Sequence, residues 1–399
     1  MKQMKKIIKQ MRVLLPILLA MACFASCKKE EAEVGKGKPT ISRVRTVSKT
    51  FIDNTLVTTI VTYNAQGQPS TVTYPNTTPQ VVGMDSTTSD GNLQNMYAII
   101  GTNLGSVTSV SFNGTSAYFN KALGSDSTIL VSIPKETPAG PAQNNLLTVE
   151  TLYGTVDYTF NILLPPPTVT EVSNYNFSAG SQIILKGIGL GSVTDVALGT
   201  SAAKATVVDK SDTEMTINMP ATTLISTTLI FTYPNGKSTT KQIFVNLDQT
   251  YKLFTEDYGA GWGGNFWGSG EISGAAAKSG TKSLKLNYSK GNWSANGVAN
   301  WSPGLASSAD YKFLSFYIKG GSQDYTLYFV GDKRTGGYGN SDQSAPVIVP
   351  ANVWTYFKLP LSTLGLWASG SPTNALGFWI KGPDAQDESF YIDDWVLIK

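Results

Sequence analysis

Apolar residues recur along this chain in short runs rich in β-branched and aromatic side chains, with Gly, Asn, Ser and Pro between them. The first series is Tyr97–Ile100, Ser109–Phe112, Ile129–Ile133 and Leu146–Leu152. A second is Gln182–Lys186, Asp195–Leu198, Met215–Met219 and Leu229–Tyr233. A third is Ser283–Asn287, Phe313–Lys319, Tyr325–Val330, Pro346–Val349, Trp354–Leu359, Leu376–Lys381 and Phe390–Ile398. Nearer the start, Thr59–Tyr63 and Ser70–Tyr74 flank a turn at Asn64–Gly67. Alternation and turn residues at this spacing predict strands packed as sandwiches. No segment sustains a 3.6-residue period, so no long helix is expected.

The first two series repeat one another. Gly101-Thr-Asn-Leu-Gly-Ser-Val-Thr-Ser-Val110 matches Gly187-Ile-Gly-Leu-Gly-Ser-Val-Thr-Asp-Val196 at an offset of 86. The same offset pairs Ser125-Asp126 with Ser211-Asp212 and Ile133-Pro134 with Met219-Pro220. A period this long fits tandem domains rather than a solenoid. The proline run Pro165–Pro167 falls between the copies and is stiff and extended. The glycines of the repeated phrase suit a tight turn between its first two strands.

Aromatic content then changes sharply. All eight Trp, and 26 of the 42 aromatic residues, lie after residue 250, which places a different module beyond about Asp248–Thr250. Its Gly-rich turns, such as Lys319–Ser322 and Thr335–Tyr338, suit a two-sheet jelly roll.

Composition narrows the chemistry. The 399 residues contain no His, which excludes a Ser-His-Asp triad, a Cys-His pair and a His-ligated metal. The net charge of +3 comes from Lys2, Lys5, Lys6, Lys9 and Arg12; without them 26 basic residues face 28 acidic ones. A slightly acidic body with no basic stripe argues against nucleic-acid binding.

The basic start precedes an apolar run, Val13–Ala25, too short to span a bilayer. It ends in Phe24-Ala25-Ser26-Cys27, which resembles a bacterial lipoprotein signal, with Cys27 as the lipidated first residue of the mature chain. Lys28-Lys29-Glu30-Glu31 looks like the export signal of surface lipoproteins in Bacteroidetes. The repeated phrase, with its later apolar-Pro step, resembles the immunoglobulin-like IPT/TIG domain. Ser279–Leu286, Phe313–Gly320, Trp354–Leu361 and Phe390–Leu397 resemble the jelly rolls of carbohydrate-binding modules. The whole chain thus resembles the surface glycan-binding lipoproteins of Bacteroidetes polysaccharide-utilisation systems.

The expected protein is all-β: tandem immunoglobulin-like (IPT/TIG) sandwiches followed by a C-terminal β-jelly-roll carbohydrate-binding domain. Its expected segments are a signal peptide (1–26), a tether (27–38), a first immunoglobulin-like domain with an N-terminal extension or insertion (39–164), a second such domain (165–248) and the jelly roll (249–399). The resemblance implies a non-catalytic receptor, lipid-anchored in the outer membrane and facing the cell exterior, which captures a polysaccharide for a neighbouring importer complex. Flat aromatic platforms lean toward a β-glucan. A protein-binding adhesin or stalk is the first alternative, and a carboxylate-based glycoside hydrolase the second.

Stacking against sugar rings requires exposed aromatic side chains. The candidates are Trp262, Trp267, Trp293, Trp301, Tyr338, Trp367 and Trp379. A Gly-rich stretch cannot bury both Trp262 and Trp267 cheaply. Strict alternation sets Trp379 on the opposite face from Phe378 and Ile380. Asn265, Asn292, Asn296, Lys333 and Arg334 are candidate hydrogen-bonding residues or plain solvated loop positions. No cofactor is expected. Glu256-Asp257 and Asp393-Asp394, if they meet, would supply hard oxygen ligands for a structural Ca²⁺.

Overall fold

The computed structural model describes residues 35–51, 57–63, 69–75, 80–339 and 342–399. The stretch read as a signal peptide, Cys27, and the turn expected at Asn64–Gly67 lie outside the described residues. Each strand run read from the sequence forms a strand, to within two residues at its ends. The one α-helix among the described residues is Leu361–Leu364. The protein is all-β, and it divides at Pro165/Pro166 into two compact units.

The first unit holds two four-stranded sheets. One runs Gln80–Thr88, Thr40–Phe51, Met96–Thr102, Thr128–Ser132; the other runs Gly154–Thr159, Leu146–Thr151, Val107–Phe112, Thr115–Ser116. Val44, Ile99, Val110, Phe112, Leu147 and Phe160 are among the residues of their shared core. The early strand-like stretch resolves into two parts. Thr40–Phe51 belongs to the first sheet, while Val57–Tyr63 and Pro69–Pro75, which precede Gln80–Thr88, pair among the described residues only with each other.

In the second unit one sheet path (Thr168–Val172, Gln182–Ile188, Glu214–Asn218, Lys204–Lys210, Asp195–Leu198, Leu229–Tyr233, Gly236–Thr239) encloses Leu185, Val196, Met215, Phe231 and Phe244. The repeat in sequence is a repeat in hydrogen bonds. Gly101 N–H donates to Ser127 O and Gly187 N–H to Thr213 O; Leu104 N–H donates to Asp126 O and Leu190 N–H to Asp212 O. The first glycine does not make the turn expected of it. A Cβ on Gly101 would lie 1.8 Å from Thr40 O, and one on Gly187 1.9 Å from Thr168 O. Each sits where the neighbouring strand shifts register, so the missing side chain lets two backbones touch at a bulge. The turn itself follows at Leu104–Val107 and Leu190–Val193.

The jelly roll completes the second unit. One sheet runs Ser269–Ser273, Ser283–Tyr288, Glu388–Ile398, Phe313–Lys319, Trp354–Pro360, with Tyr251–Phe254 also paired to Glu388–Ile398. The other runs Gly263–Phe266, Trp293–Ala299, Ala375–Lys381, Tyr325–Gly331, Pro346–Val349. A large aromatic core that includes Phe254, Phe316, Phe329, Phe378 and Trp395 fills the space between. The change of composition near residue 248 marks a packed junction rather than a loose linker. Val245 and Leu247 bury against Val396 and Ile398, and Tyr175 stacks on Tyr356 with centroids 5.0 Å apart.

Candidate functional site

The five-stranded jelly-roll sheet turns one face to the core and the other outward. Directly paired residues share a face. Phe378, opposite Phe329 and Asn296, is core. Trp379, opposite Ala295 and Tyr328, and Gly377, opposite Gly297 and Val330, are therefore on the outer face. Trp379 is nevertheless only 6% exposed. Trp293 lies flat on it, with ring centroids 4.1 Å apart and planes 15° from parallel, and is itself 53% exposed. The lower indole orients the upper one, which presents its second face to solvent.

The aromatic surface continues on both sides. Tyr328 packs beside Trp379 at 6.1 Å. Tyr338 crosses the sheet above Gly377, where a Cβ would come within 2.8 Å of the Tyr338 hydroxyl, so only glycine admits the ring. The hydroxyl donates to Asn265 O at 2.8 Å, and burial raises the phenol pKa well above its usual range. Trp267 meets Tyr338 edge-on at 5.9 Å and is 58% exposed, and its backbone N–H donates to Ala295 O. Tyr328, the Trp379–Trp293 stack, Tyr338 and Trp267 thus form one aromatic strip. The loop that presents Tyr338 is anchored by Arg334, which is buried over the Phe329 ring and bonded to Asp342 (3.1 Å) and Ser344 (2.8 Å).

The other candidates are placed elsewhere. Trp262 is a core residue, 7% exposed, with Nε1 donating to the Tyr251 hydroxyl at 3.0 Å. The expectation that its Gly-rich stretch would leave it outside fails because that hydroxyl satisfies the indole N–H within the fold. Trp367 packs against the same core, its Nε1 donating to Leu305 O at 3.0 Å. Trp301 is highly exposed but follows the far end of the Trp293–Ala299 strand, with no ring contact to the strip among the described residues. Asn296 is buried and holds Gly268 N–H and Asn287 O; with Arg334 it belongs to the framework rather than to a solvated loop. Asn265 lies on the outer face, opposite Gly297. Sequence reading missed Tyr328: only the register that sets it against Trp379 distinguishes it from other strand tyrosines.

The acidic pairs do approach one another, but donors face them. Glu256 accepts from Thr281 N–H, Thr281 Oγ and Lys282 N–H. Asp393 accepts from Lys278 and Ser279 N–H, and Asp394 from Ser279 Oγ and Asn176 Nδ2. These carboxylates tie down the 278–282 loop. No cluster of three metal-ligating side chains exists among the described residues. Burial, then mutual repulsion, raises the Asp393 pKa; burial raises that of Asp394. The carboxylates of Asp324 and Asp332 accept backbone N–H groups, and Glu271 and Asp384 pair with Lys285 and Lys381. The first two thus hold structure, whereas Glu271 and Asp384 sit in exposed surface ion pairs.

No family model matches the chain. An IPT/TIG domain-containing protein of Bacteroides ovatus is 29% identical over 120 residues, covering 29% of this chain and 24% of the relative. The chain therefore matches about a quarter of that relative's length. Among solved structures, the surface glycan-binding protein PbSGBP-B of Prevotella bryantii is 18% identical with a TM-score of 0.49, over 91% of this chain and 99% of that one. The SGBP-B of a Bacteroides ovatus mixed-linkage glucan utilisation locus, in complex with a mixed-linkage heptasaccharide, is 12% identical with a TM-score of 0.29, over 88% and 89%. A family 11 carbohydrate-binding module of Clostridium thermocellum is 16% identical with a TM-score of 0.24, over 35% and 87%. The resemblance read from the sequence agrees with these likenesses: the chain is similar to an IPT/TIG-containing protein and to surface glycan-binding proteins of Bacteroidetes.

Proposed function

We propose that this protein is a non-catalytic cell-surface receptor that holds a polysaccharide on the outer face of its five-stranded jelly-roll sheet. The observation that carries the reading is the Trp293–Trp379 stack, an indole pinned flat on a sheet with its free face toward solvent. A pyranose presents a face of C–H groups to such a ring, and the rigid ring loses little rotamer freedom on contact. Stacking on an aromatic platform contributes roughly 1–3 kcal/mol per ring in the nucleic-acid analogue. Two or three contacts along the strip then give about micromolar to millimolar affinity. Many weak sites on one surface suffice for retention.

Trp293 is the central platform, Trp267, Tyr328 and Tyr338 extend it, and Trp379 supports it. A flat strip suits a β-linked glucan. In this reading residues 39–164 and 165–248 are immunoglobulin-like modules that carry the jelly roll of residues 249–399. Cys27 is the lipidated anchor in the outer membrane, and an outer-membrane importer is the partner that receives the glycan.

Affinity electrophoresis of residues 28–399 through gels loaded with plant and microbial polysaccharides tests this, with reducing-sugar release assayed in parallel. Retardation by one glycan without sugar release is expected. Sugar release contradicts the non-catalytic reading, and free migration through every gel contradicts glycan capture.

A further inference from the structure

The two repeats differ at the tip of one hairpin. Leu152 and Tyr153 join Leu146–Thr151 to Gly154–Thr159; Pro234 and Asn235 join Leu229–Tyr233 to Gly236–Thr239. The glycine after each tip has nearly the same positive φ, 139° at Gly154 and 136° at Gly236. Pro and Asn are residues a tight turn selects; Leu and Tyr are not. Leu152 is 75% exposed and Tyr153 half-exposed. Turn geometry does not explain two large apolar side chains held out in water.

Their position does. Gly154 lies against Pro39 and Lys38. Leu152 N–H donates to Ser106 O at 3.2 Å, and Ser106 Oγ donates to Gly35 O at 3.0 Å. The tip therefore stands beside residues 35–39. Cys27 precedes Gly35 by eight residues, which span at most about 28 Å when fully extended. Exposed Lys38 flanks the tip, and exposed Lys121 lies beside the neighbouring Leu104–Val107 loop. Among the described residues, Asp126 and Glu150 are engaged within the domain: Asp126 accepts from Gly105 N–H, and Glu150 from Ser109 Oγ.

We propose that the Leu152–Tyr153 tip is a membrane contact that seats the first immunoglobulin-like domain on the lipid surface. Leu152 enters the boundary of the acyl chains, Tyr153 sits at headgroup level, and the lysines face anionic headgroups. The equivalent tip of the second repeat keeps ordinary turn residues. This inference rests on the lipid-anchor reading of Cys27.

The test uses the full chain, purified from membranes and reconstituted into vesicles of phosphatidylethanolamine and phosphatidylglycerol. An environment-sensitive fluorophore is placed on Leu152→Cys and, separately, on Asn235→Cys. The mass of the amino-terminal peptide reports acylation of Cys27. Blue-shifted emission and quenching by a lipid-borne quencher at position 152, with neither at 235, are expected. Equal solvent exposure at both positions in a vesicle-bound, acylated chain overturns the contact and leaves the anchor standing. Shielding at 152 that persists without vesicles assigns the tip to a second copy of the chain and likewise overturns the proposal. An unmodified Cys27 in a chain that does not float with vesicles overturns the anchor, and the contact with it.

Discussion

Trp262 and Trp267 stand five residues apart in one Gly-rich stretch, yet one is core and the other surface. The difference lies in what each meets. Gly259 passes so close to the Tyr251–Phe254 strand that a Cβ would lie 1.9 Å from Lys252 O, and this approach folds Trp262 inward onto the Tyr251 hydroxyl. Trp267 follows the Gly263–Phe266 strand, is held by its backbone, and leans its edge on Tyr338. A residue type selected for large flat area serves equally well as core filler and as platform. The partner of the indole N–H and the parity of the strand decide between the two.

The largest expected effect breaks the core side of this contrast. Trp262→Ala removes a buried indole and should cost about 3–5 kcal/mol of stability, read by denaturant unfolding. Glycan affinity should be unchanged wherever the variant remains folded. Trp293→Ala should do the reverse: a loss of roughly 1–3 kcal/mol in binding by titration calorimetry, with the folded core retained. Trp379 then loses its cover, so its fluorescence should shift to the red.

Charge sharpens the same contrast between buried and exposed groups. The raised pKa values of Asp393 and Asp394 mean that folding favours their protonated forms. There is no penalty below the unfolded carboxylate pKa of about 4; stability falls as pH rises through the raised folded values, and the full cost is present above them. Thermal unfolding should therefore show a lower Tm at pH 8 than at pH 5 from this pair. Asp394→Asn should flatten that slope and raise Tm at pH 8 by a few degrees, about what ~1 kcal/mol gives in a unit of this size. Asn suits the site: Asp394 has φ 49°, a conformation Asn tolerates, and an amide can still bond Ser279 and Asn176. The smallest effect is expected at Trp267→Ala, an edge contact with a loss of about 0.5–1.5 kcal/mol in glycan affinity.

The strands were legible because alternation and turn residues are local signals, and the repeat at Gly101 and Gly187 was legible because one hydrogen-bond pattern needs one phrase. The role of those glycines was not, since the backbones they clear, at Thr40 and Thr168, come from other strands. Alternation correctly set Trp379 apart from Phe378, but its cover by Trp293 depends on the register of two strands about 80 residues apart. Tyr328 was missed for the same reason. Trp262 and Trp367 were misplaced because the acceptors of their indole N–H groups lie on other segments: Tyr251, 11 residues back across the Gly259 turn, and Leu305, 62 residues away.

The most direct measurement is the affinity of Trp293→Ala for the glycan that retards the unaltered chain, taken beside its unfolding midpoint. The account predicts a loss of roughly fivefold to 150-fold in affinity, the equivalent of about 1–3 kcal/mol, at a nearly unchanged midpoint. Undiminished affinity in the folded variant would contradict the assignment of this aromatic strip as the glycan-binding surface.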